Sequence, residues 1–191
     1  RETLEVLRQP LENGSMQIHR CGYTYDFPAQ FMLVGAMNPC PCGFYPDLSR
    51  CHCSYTAVRR YQEKISMPLL DRMDMMIEVS ALSYPQWNQK TQEMSSTQMR
   101  KKVERVREIQ KERRKGQSFL FNSRMGNQEL EEYCALGTQE KKLMKKAFDE
   151  LKMSARGYTK ILKVARTVAD LEEKEQIQTE HLQEALCYRI G

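Results

Sequence analysis

The sequence lacks any long apolar run: no segment approaches the ~18–20 consecutive apolar residues that a membrane-spanning helix needs. Its first ten residues mix charges with leucines, unlike a secretory signal peptide. It also lacks the phosphate-binding loop G-x-x-x-x-G-K-[ST] and the hydrolase motifs G-x-S-x-G and H-E-x-x-H. Membrane and secreted proteins are therefore disfavoured and a cytoplasmic location is expected. The chain carries no self-contained catalytic centre of these classes.

What the sequence does contain is the composition of a globular protein. Its 191 residues are 40% hydrophobic and 29% charged, which is enough chain for one ordinary domain or two small ones. The net charge of +5 permits an anionic partner without requiring one. Because the first residue is an arginine, we expect the chain to be a piece of a longer protein.

The pattern before residue 81 is that of an incomplete α/β fold. Two short alternating segments, Ser15–Arg20 and Tyr23–Tyr25, predict a hairpin. The runs Phe31–Met37 and Met73–Val79 are apolar almost throughout, which predicts two strands buried on both faces of a parallel sheet. Two such strands do not complete a sheet, so further strands are expected upstream.

Beyond that point the pattern becomes helical. Residues 81–96 are rich in Gln, Ser and Thr and predict a linker. Residues 97–191 predict a small all-helical domain, in which Ser154–Leu171 follows the helical period most closely. The predicted organisation is an α/β fragment over residues 1–80, a linker over 81–96 and a helical domain over 97–191.

Four cysteines crowd into fourteen residues. Without secretory features, such a cluster predicts a metal site rather than disulfides. Four thiolates would suit one tetrahedral zinc, which we prefer to an iron–sulfur cluster, and His52 could replace one thiolate. The alternative is four reduced cysteines packed in a loop. The predicted ligands are Cys40, Cys42, Cys51 and Cys53.

Two polar residues in the first half are candidates for a ligand site. Asn38 follows the apolar run directly, and the carboxyl end of a buried strand is where ligands bind in open α/β sheets. The alternative is that Asn38 caps the next turn. Arg72 ends a short predicted helix between two aspartates, and a local ion pair with Asp71 or Asp74 is the alternative to a functional role.

Arg156 is a candidate in the second half, in the first turn of the strongest helix, after the predicted N-cap Ser154. A cation there opposes the helix dipole, and the conflict disappears if Arg156 and the free amides together bind an anion such as phosphate. The alternative is a solvated basic face shared with Lys160 and Lys163.

The segment Arg100–Lys115 holds nine Lys or Arg and three Glu. Nucleic acid is one candidate partner for such a helix, and a solvated charged helix is the alternative. The candidate DNA-contacting residues are Arg100, Lys101, Lys102 and Arg105.

Several stretches together resemble one family. They are Leu7–Glu12, Phe31–Gly43, Ile65–Asp74, Ser154–Tyr158 and Ile161–Leu171. The chain resembles, over nearly its whole length, the bacterial magnesium chelatase-like AAA+ ATPases in their competence-associated branch. The block Asn-Pro-Cys-Pro-Cys-Gly, at residues 38–43, is the most specific part of the resemblance.

The resemblance implies an ATPase that works as a hexameric ring, with ATP and Mg²⁺ bound between subunits of the full-length protein. It implies that the phosphate loop lies upstream of Leu7. The chain is then part of a AAA+ P-loop core with a partial parallel sheet, followed by a helical lid, and is inactive alone. By that likeness Asn38 matches sensor-1, Arg72 the arginine finger and Arg156 sensor-2, although Gly157 weakens the helix beside Arg156.

The resemblance also implies a function linked to DNA. In that branch, ATP hydrolysis is coupled to DNA processing of the helicase or branch-migration type, and the cysteine loop and basic helix favour this assignment. One alternative is a motor subunit of a metal-chelatase complex. The other is a stand-alone, zinc-stapled module that binds nucleic acid. The expected partners are copies of the same protein and DNA, with no membrane.

Overall fold

A computed structural model of the chain describes residues 2–88, 94–113 and 121–189. It contains two compact units, Arg1–Met73 and Asp74–Gly191. The predicted domain bounds at residues 80 and 96 stay a prediction. None of the helices in the described part of the chain has both the length and the apolar character of a membrane span.

The first unit begins with two short helices, α1 (Glu2–Glu5) and α2 (Arg8–Asn13). Helix α2 ends at Gly14, which adopts the left-handed backbone conformation with φ 67°. The Gly14 N–H donates a hydrogen bond to the carbonyl of Pro10 (2.9 Å). This is the glycine-terminated helix end that avoids a Cβ clash at positive φ.

A β-hairpin follows, formed by β1 (Ser15–Arg20) and β2 (Tyr23–Pro28). The strands are antiparallel, with Ile18 opposite Tyr25 and Arg20 opposite Tyr23. Cys21 and Gly22 form the turn and both have positive φ, as tight hairpin turns require. The predicted hairpin is therefore confirmed, and its second strand extends three residues further than expected.

The two predicted buried strands are wrong. Phe31–Met37 and Met73–Val79 form no strand, and side chains such as Met32 (86% exposed) and Val79 (90%) face solvent. A strand buried on both faces needs hydrogen-bonded neighbours. Among the described residues, the hairpin is the sole sheet, and it is antiparallel. The fold shown is helix-rich with a small two-stranded sheet, which is consistent with part of an α/β fold followed by a helical domain.

Two further helices complete the first unit: α3 (Tyr55–Gln62) and α4 (Met67–Leu70). Each begins after a serine, Ser54 or Ser66, whose hydroxyl accepts a hydrogen bond from the backbone N–H three residues later. These serines satisfy N–H groups that the first helical turn leaves without a partner.

The second unit is helical, with a 3₁₀ turn at Asn122–Arg124. Its helices are α5 (Tyr84–Asn88), α6 (Ser96–Arg113), α7 (Asn127–Tyr133), α8 (Thr138–Glu150), α9 (Ala155–Leu171) and α10 (Thr179–Cys187). Helix α5 lies inside the predicted linker, whose residues 89–93 fall outside the described residues.

Helix α9 forms the centre of the second unit. Its buried apolar positions recur at helical spacing, from Ile161 and Leu162 to Ala165 and Ala169. They pack in one core with apolar residues of α7, α8 and α10, including Leu130, Met144 and Leu182. The periodicity that predicted this helix therefore also identifies the face that it buries.

Candidate metal centre and nucleotide-facing residues

The four clustered cysteines converge in the first unit. Their sulfur atoms all lie within 4.8 Å of one another. Cys40 Sγ is 3.3 Å from Cys42 Sγ and 3.8 Å from Cys51 Sγ, and Cys42 Sγ is 3.6 Å from Cys51 Sγ. Zinc–sulfur bonds of 2.3 Å in a tetrahedron place sulfurs about 3.8 Å apart. The cluster therefore fits the donor set and size of a structural zinc site.

Local turns bring the two cysteine pairs together. Gly43 has φ 84°, and its N–H donates to the carbonyl of Cys40, which turns the chain directly after the first pair. Asp47 then organises the loop between the pairs, because its carbonyl accepts from the N–H of Cys51 (2.8 Å). The Asp47 carboxylate is satisfied within the loop by the N–H and hydroxyl of Ser49.

Helix α3 supports the cluster from one side. Val58 is 4% exposed and packs with Cys40 and Cys51. One turn later, the Gln62 amide donates to the carbonyl of Pro39 (3.2 Å). Residues four apart share a face of a helix, so α3 contacts both the sulfur cluster and the segment that leads into it.

Neighbouring thiols favour the ionisation of Cys40 and disfavour that of Cys51. Burial disfavours the Cys40 thiolate, but the N–H of Tyr45 and the thiols of Cys42 and Cys51 outweigh it and lower its pKa to about 6. The N–H of Cys53 favours the Cys51 thiolate, but burial and the neighbouring thiols of Cys42 and Cys40 raise its pKa to about 12. A divalent cation would stabilise all four thiolates together.

Asn38 lies beside this cluster. A Cβ added to Gly43 would come 3.7 Å from Asn38 Nδ2, so the amide side chain lies against the turn that holds the first cysteine pair. Asn38 itself is exposed and lies in an irregular segment. Its sensor role stays a prediction.

Arg72 follows helix α4, and its side chain contacts other residues of the first unit. Its Nε donates to the carbonyl of Arg8 (3.2 Å), and its Nη1 donates to the carbonyl of Pro68 (2.7 Å). Nη2 forms an ion pair with Glu12 of helix α2. The sequence suggested only neighbouring aspartates as ion-pair partners, because nothing local reveals a contact sixty residues distant.

Arg156 lies at the second residue of α9, in the other unit. The Ser154 hydroxyl accepts from the N–H of Gly157 (3.1 Å), which confirms Ser154 as the N-cap. The first turn of α9 contains no acidic residue. Arg156 therefore sits at the positive end of the helix dipole. Its sensor role also stays a prediction.

The basic segment forms most of helix α6, and its last residues, 114 and 115, fall outside the described residues. Arg100, Lys101 and Lys102 are exposed. Arg105 is exposed too, but it is bound by two carboxylates, Glu173 (3.1 Å) and Glu108 (3.5 Å). The hydrogen bond with Glu173 raises the pKa of Arg105.

A buried charged network was missed by sequence reasoning. Asp170 is fully buried and accepts hydrogen bonds from Arg166 (3.0 Å), Asn122 (2.8 Å), Gln110 (3.3 Å) and Arg113 (3.1 Å). The available signal was a pair of charged residues four apart on the apolar face of α9. Polar residues on a buried helix face have to bind one another.

Comparisons with known proteins agree with the sequence motifs. A family model described as magnesium chelatase, subunit ChlI, matches residues 1–87, and one for the C-terminal part of that subunit matches residues 93–189. The competence protein ComM of Haemophilus influenzae is 43% identical over 99% of this chain. YifB of Salmonella typhimurium is 35% identical and YifB of Escherichia coli 34% identical, each over 99% of this chain.

These matches establish the family. The chain belongs to the magnesium chelatase-like, competence-associated family. It spans 36% of the length of ComM and 37% of the length of either YifB protein.

Proposed function

We propose that this chain is the sensor and lid portion of a cytoplasmic AAA+ ATPase that couples ATP hydrolysis to DNA processing, of the helicase or branch-migration type. The observation that carries the proposal is the similarity to ComM over 99% of the chain. ComM is named a competence protein, and the resemblance described above connects that branch of the family with DNA.

The proposed nucleotide-facing residues are Asn38, Arg72 and Arg156. Phosphoryl transfer depends on positioning and on stabilising charge, and one amide with two guanidinium groups suits those tasks. Arg156 is supported by its place in the first turn of α9, the end of a helix whose dipole favours an anion. ATP and Mg²⁺ would further require the phosphate loop, which this sequence does not contain.

The exposed apolar segments support a larger assembly. Met32, Val34, Ile77 and Val79 are 65–90% exposed, and stretches of this kind normally mark an interaction surface. In the proposed full-length protein each of these segments would be covered by parts of the protein that lie outside this chain. The same protein would assemble into a hexameric ring with a nucleotide between neighbouring subunits.

The proposed role of the cysteine cluster is a structural zinc site. The sulfur separations and the four-cysteine donor set fit zinc, and structural sites of this kind use all four positions for protein ligands. The metal would hold together the loop between the two cysteine pairs, which follows Asn38 in the sequence. It would have no part in the chemistry of ATP hydrolysis.

The decisive experiment measures ATP hydrolysis by the full-length protein with and without DNA. The proposal predicts turnover that DNA stimulates and that Arg156→Ala abolishes, whereas Lys152→Ala, near the same helix end, leaves it intact. The second candidate function, a motor subunit of a metal chelatase, is favoured by the description of the matching family models. ATPase activity indifferent to DNA but stimulated by chelatase partner subunits would support that candidate instead.

A further inference from the structure

The basic helix α6 uses its cationic side chains in two different ways. We propose that Arg105 and Arg113 are positioning residues that clamp α6 to the end of α9, and that Arg100, Arg107 and Lys111 form the face that binds the DNA backbone. This inference rests on the proposed DNA-linked function and assigns residues to it.

The first half of the clamp is at Arg105. Its Nε and Nη2 both donate to Glu173 Oε2, at 3.2 and 3.1 Å. Glu173 lies just after α9 and has φ 55°. A guanidinium engaged by a carboxylate in this way would have to break that contact to bind a phosphate, so Arg105 is better suited to hold the helix than to contact DNA.

The second half of the clamp is at Arg113, eight residues further along α6. Its guanidinium binds the buried carboxylate of Asp170, which also accepts from Gln110 of the same helix. Asp170 is held in place by Arg166, whose Nη1 donates to the carbonyl of Glu175 (2.7 Å). With a rise of 1.5 Å per residue, the two contact points lie about 12 Å apart along α6. Two contacts at that separation restrain both the position and the rotation of the helix, and the buried contact with Asp170 is the stronger of the two.

The clamp determines which side chains face outward. Val106 and Gln110 are buried against the unit, while Arg100, Arg107 and Lys111 are exposed. Spacings of seven and four residues place these three cations on one side of the helix. We call Arg100, Arg107 and Lys111 the cationic stripe. Glu104 lies among these residues, so the stripe is mainly but not purely cationic.

An exposed row of Lys and Arg is suited to phosphate, because each contact releases a counterion condensed on DNA. Lysine and arginine contacts of this kind bind any sequence and weaken with salt. The stripe therefore predicts binding to the DNA backbone without sequence preference.

The first experiment replaces the stripe in the full-length protein, as Arg100→Gln, Arg107→Gln and Lys111→Gln together. The matched control replaces three exposed lysines of α8, as Lys141→Gln, Lys142→Gln and Lys145→Gln. Binding to a fluorescein-labelled duplex DNA is measured over a range of salt concentrations. The stripe variant is expected to lose at least tenfold in affinity and to reduce the salt slope by about 3, at ~0.9 for each contact. The control is expected to keep the wild-type slope.

The second experiment tests the clamp by charge reversal. Arg105→Glu should weaken DNA binding several-fold, and the double variant Arg105→Glu, Glu173→Arg should restore it, because the ion pair is rebuilt with its charges exchanged. A double variant that stays as weak as Arg105→Glu would show that Arg105 contacts DNA and would overturn the clamp.

A third variant covers the case in which Arg105→Glu does not fold. Glu173→Gln removes a negative charge, which by simple electrostatics would strengthen DNA binding, yet loss of the clamp predicts weaker binding. Glu175→Gln makes the same charge change two residues away and is expected to leave affinity unchanged or slightly raised. Equal behaviour of the two variants would contradict the clamp.

The experiments separate the two proposals. If the wild-type protein does not bind the duplex at all, both the DNA-linked function and the stripe are wrong. If it binds, and neither the stripe variant nor Glu173→Gln lowers the affinity, the function stands and this assignment of residues is wrong.

Discussion

Arg72 and Glu12 form an ion pair that joins the end of helix α4 to helix α2. The carbonyls of Arg8 and Pro68 accept two further hydrogen bonds from the same guanidinium, and the Arg72 side chain is 14% exposed. Arg72 is therefore held in a defined pose by its own unit. A phosphate offered by a neighbouring subunit would compete with Glu12 for this guanidinium.

Arg72→Ala in the full-length protein is expected to leave nucleotide binding nearly intact and to cut turnover steeply. Arginine fingers in related phosphoryl-transfer systems contribute roughly 10³–10⁵ in rate. Mixing Arg72→Ala subunits with subunits that lack a working phosphate loop should recover part of the activity, because each variant supplies what the other lacks at one kind of interface. Steady-state ATPase assays on mixed rings measure the recovery.

The control for this prediction is Glu12→Gln. It keeps the guanidinium and a hydrogen-bonding partner but removes the opposite charge, so turnover should fall much less than with Arg72→Ala. If demonstrably mixed rings recover no activity, Arg72 is a structural partner of Glu12 only.

Zinc is expected at about one atom per chain in protein purified without added metal. Replacing Cys40 with serine should bring the zinc content close to zero, because structural zinc sites use all four ligands. It should also expose the loop between the cysteine pairs to proteolysis. Elemental analysis and limited proteolysis measure the two effects.

The matched control is Cys21→Ser, which changes an exposed cysteine in the hairpin turn. Its zinc content and protease resistance should equal those of the wild type. A wild-type protein that is metal-free yet has a fully protected loop would refute the zinc site.

Asp170→Ala is expected to destabilise the second unit by about 3–5 kcal/mol, because it leaves two arginines near the core without their carboxylate. Arg166 is 1% exposed and Arg113 is 16% exposed in their side chains. Urea unfolding followed by circular dichroism gives the change in the free energy of unfolding. Asp149→Ala, at an exposed site of α8, should change that free energy by less than about 0.5 kcal/mol.

The 191-residue chain by itself is expected not to hydrolyse ATP, because it contains no phosphate loop to hold the β- and γ-phosphates. A sensitive assay of released phosphate measures this, with Arg156→Ala as the control for contaminating activity. Turnover by the chain that disappears in Arg156→Ala would show that the nucleotide site is more complete than proposed.

Features that depend on a few neighbouring residues were predictable. The hairpin over Ser15–Arg20 and its partner strand follows from alternation and a Cys-Gly turn, and the start of α9 follows from Ser154. The cysteine cluster could also be predicted, because four thiols within fourteen residues can come together after a few turns of the chain. In each case the sequence separation is short, so little chain entropy opposes the contact.

Contacts between distant residues depended on the tertiary structure. The sequence by itself determined where α9 begins, which face of α9 is apolar and which four cysteines converge, because these follow from local periodicity and short loops. Only the tertiary structure decided that Arg72 binds Glu12 rather than Asp71 or Asp74. It also decided that Asp170 forms ion pairs with both Arg113 and Arg166. It also decided that Phe31–Met37 stays exposed, because apolar composition favours burial but only neighbouring strands can supply the hydrogen bonds that make a strand.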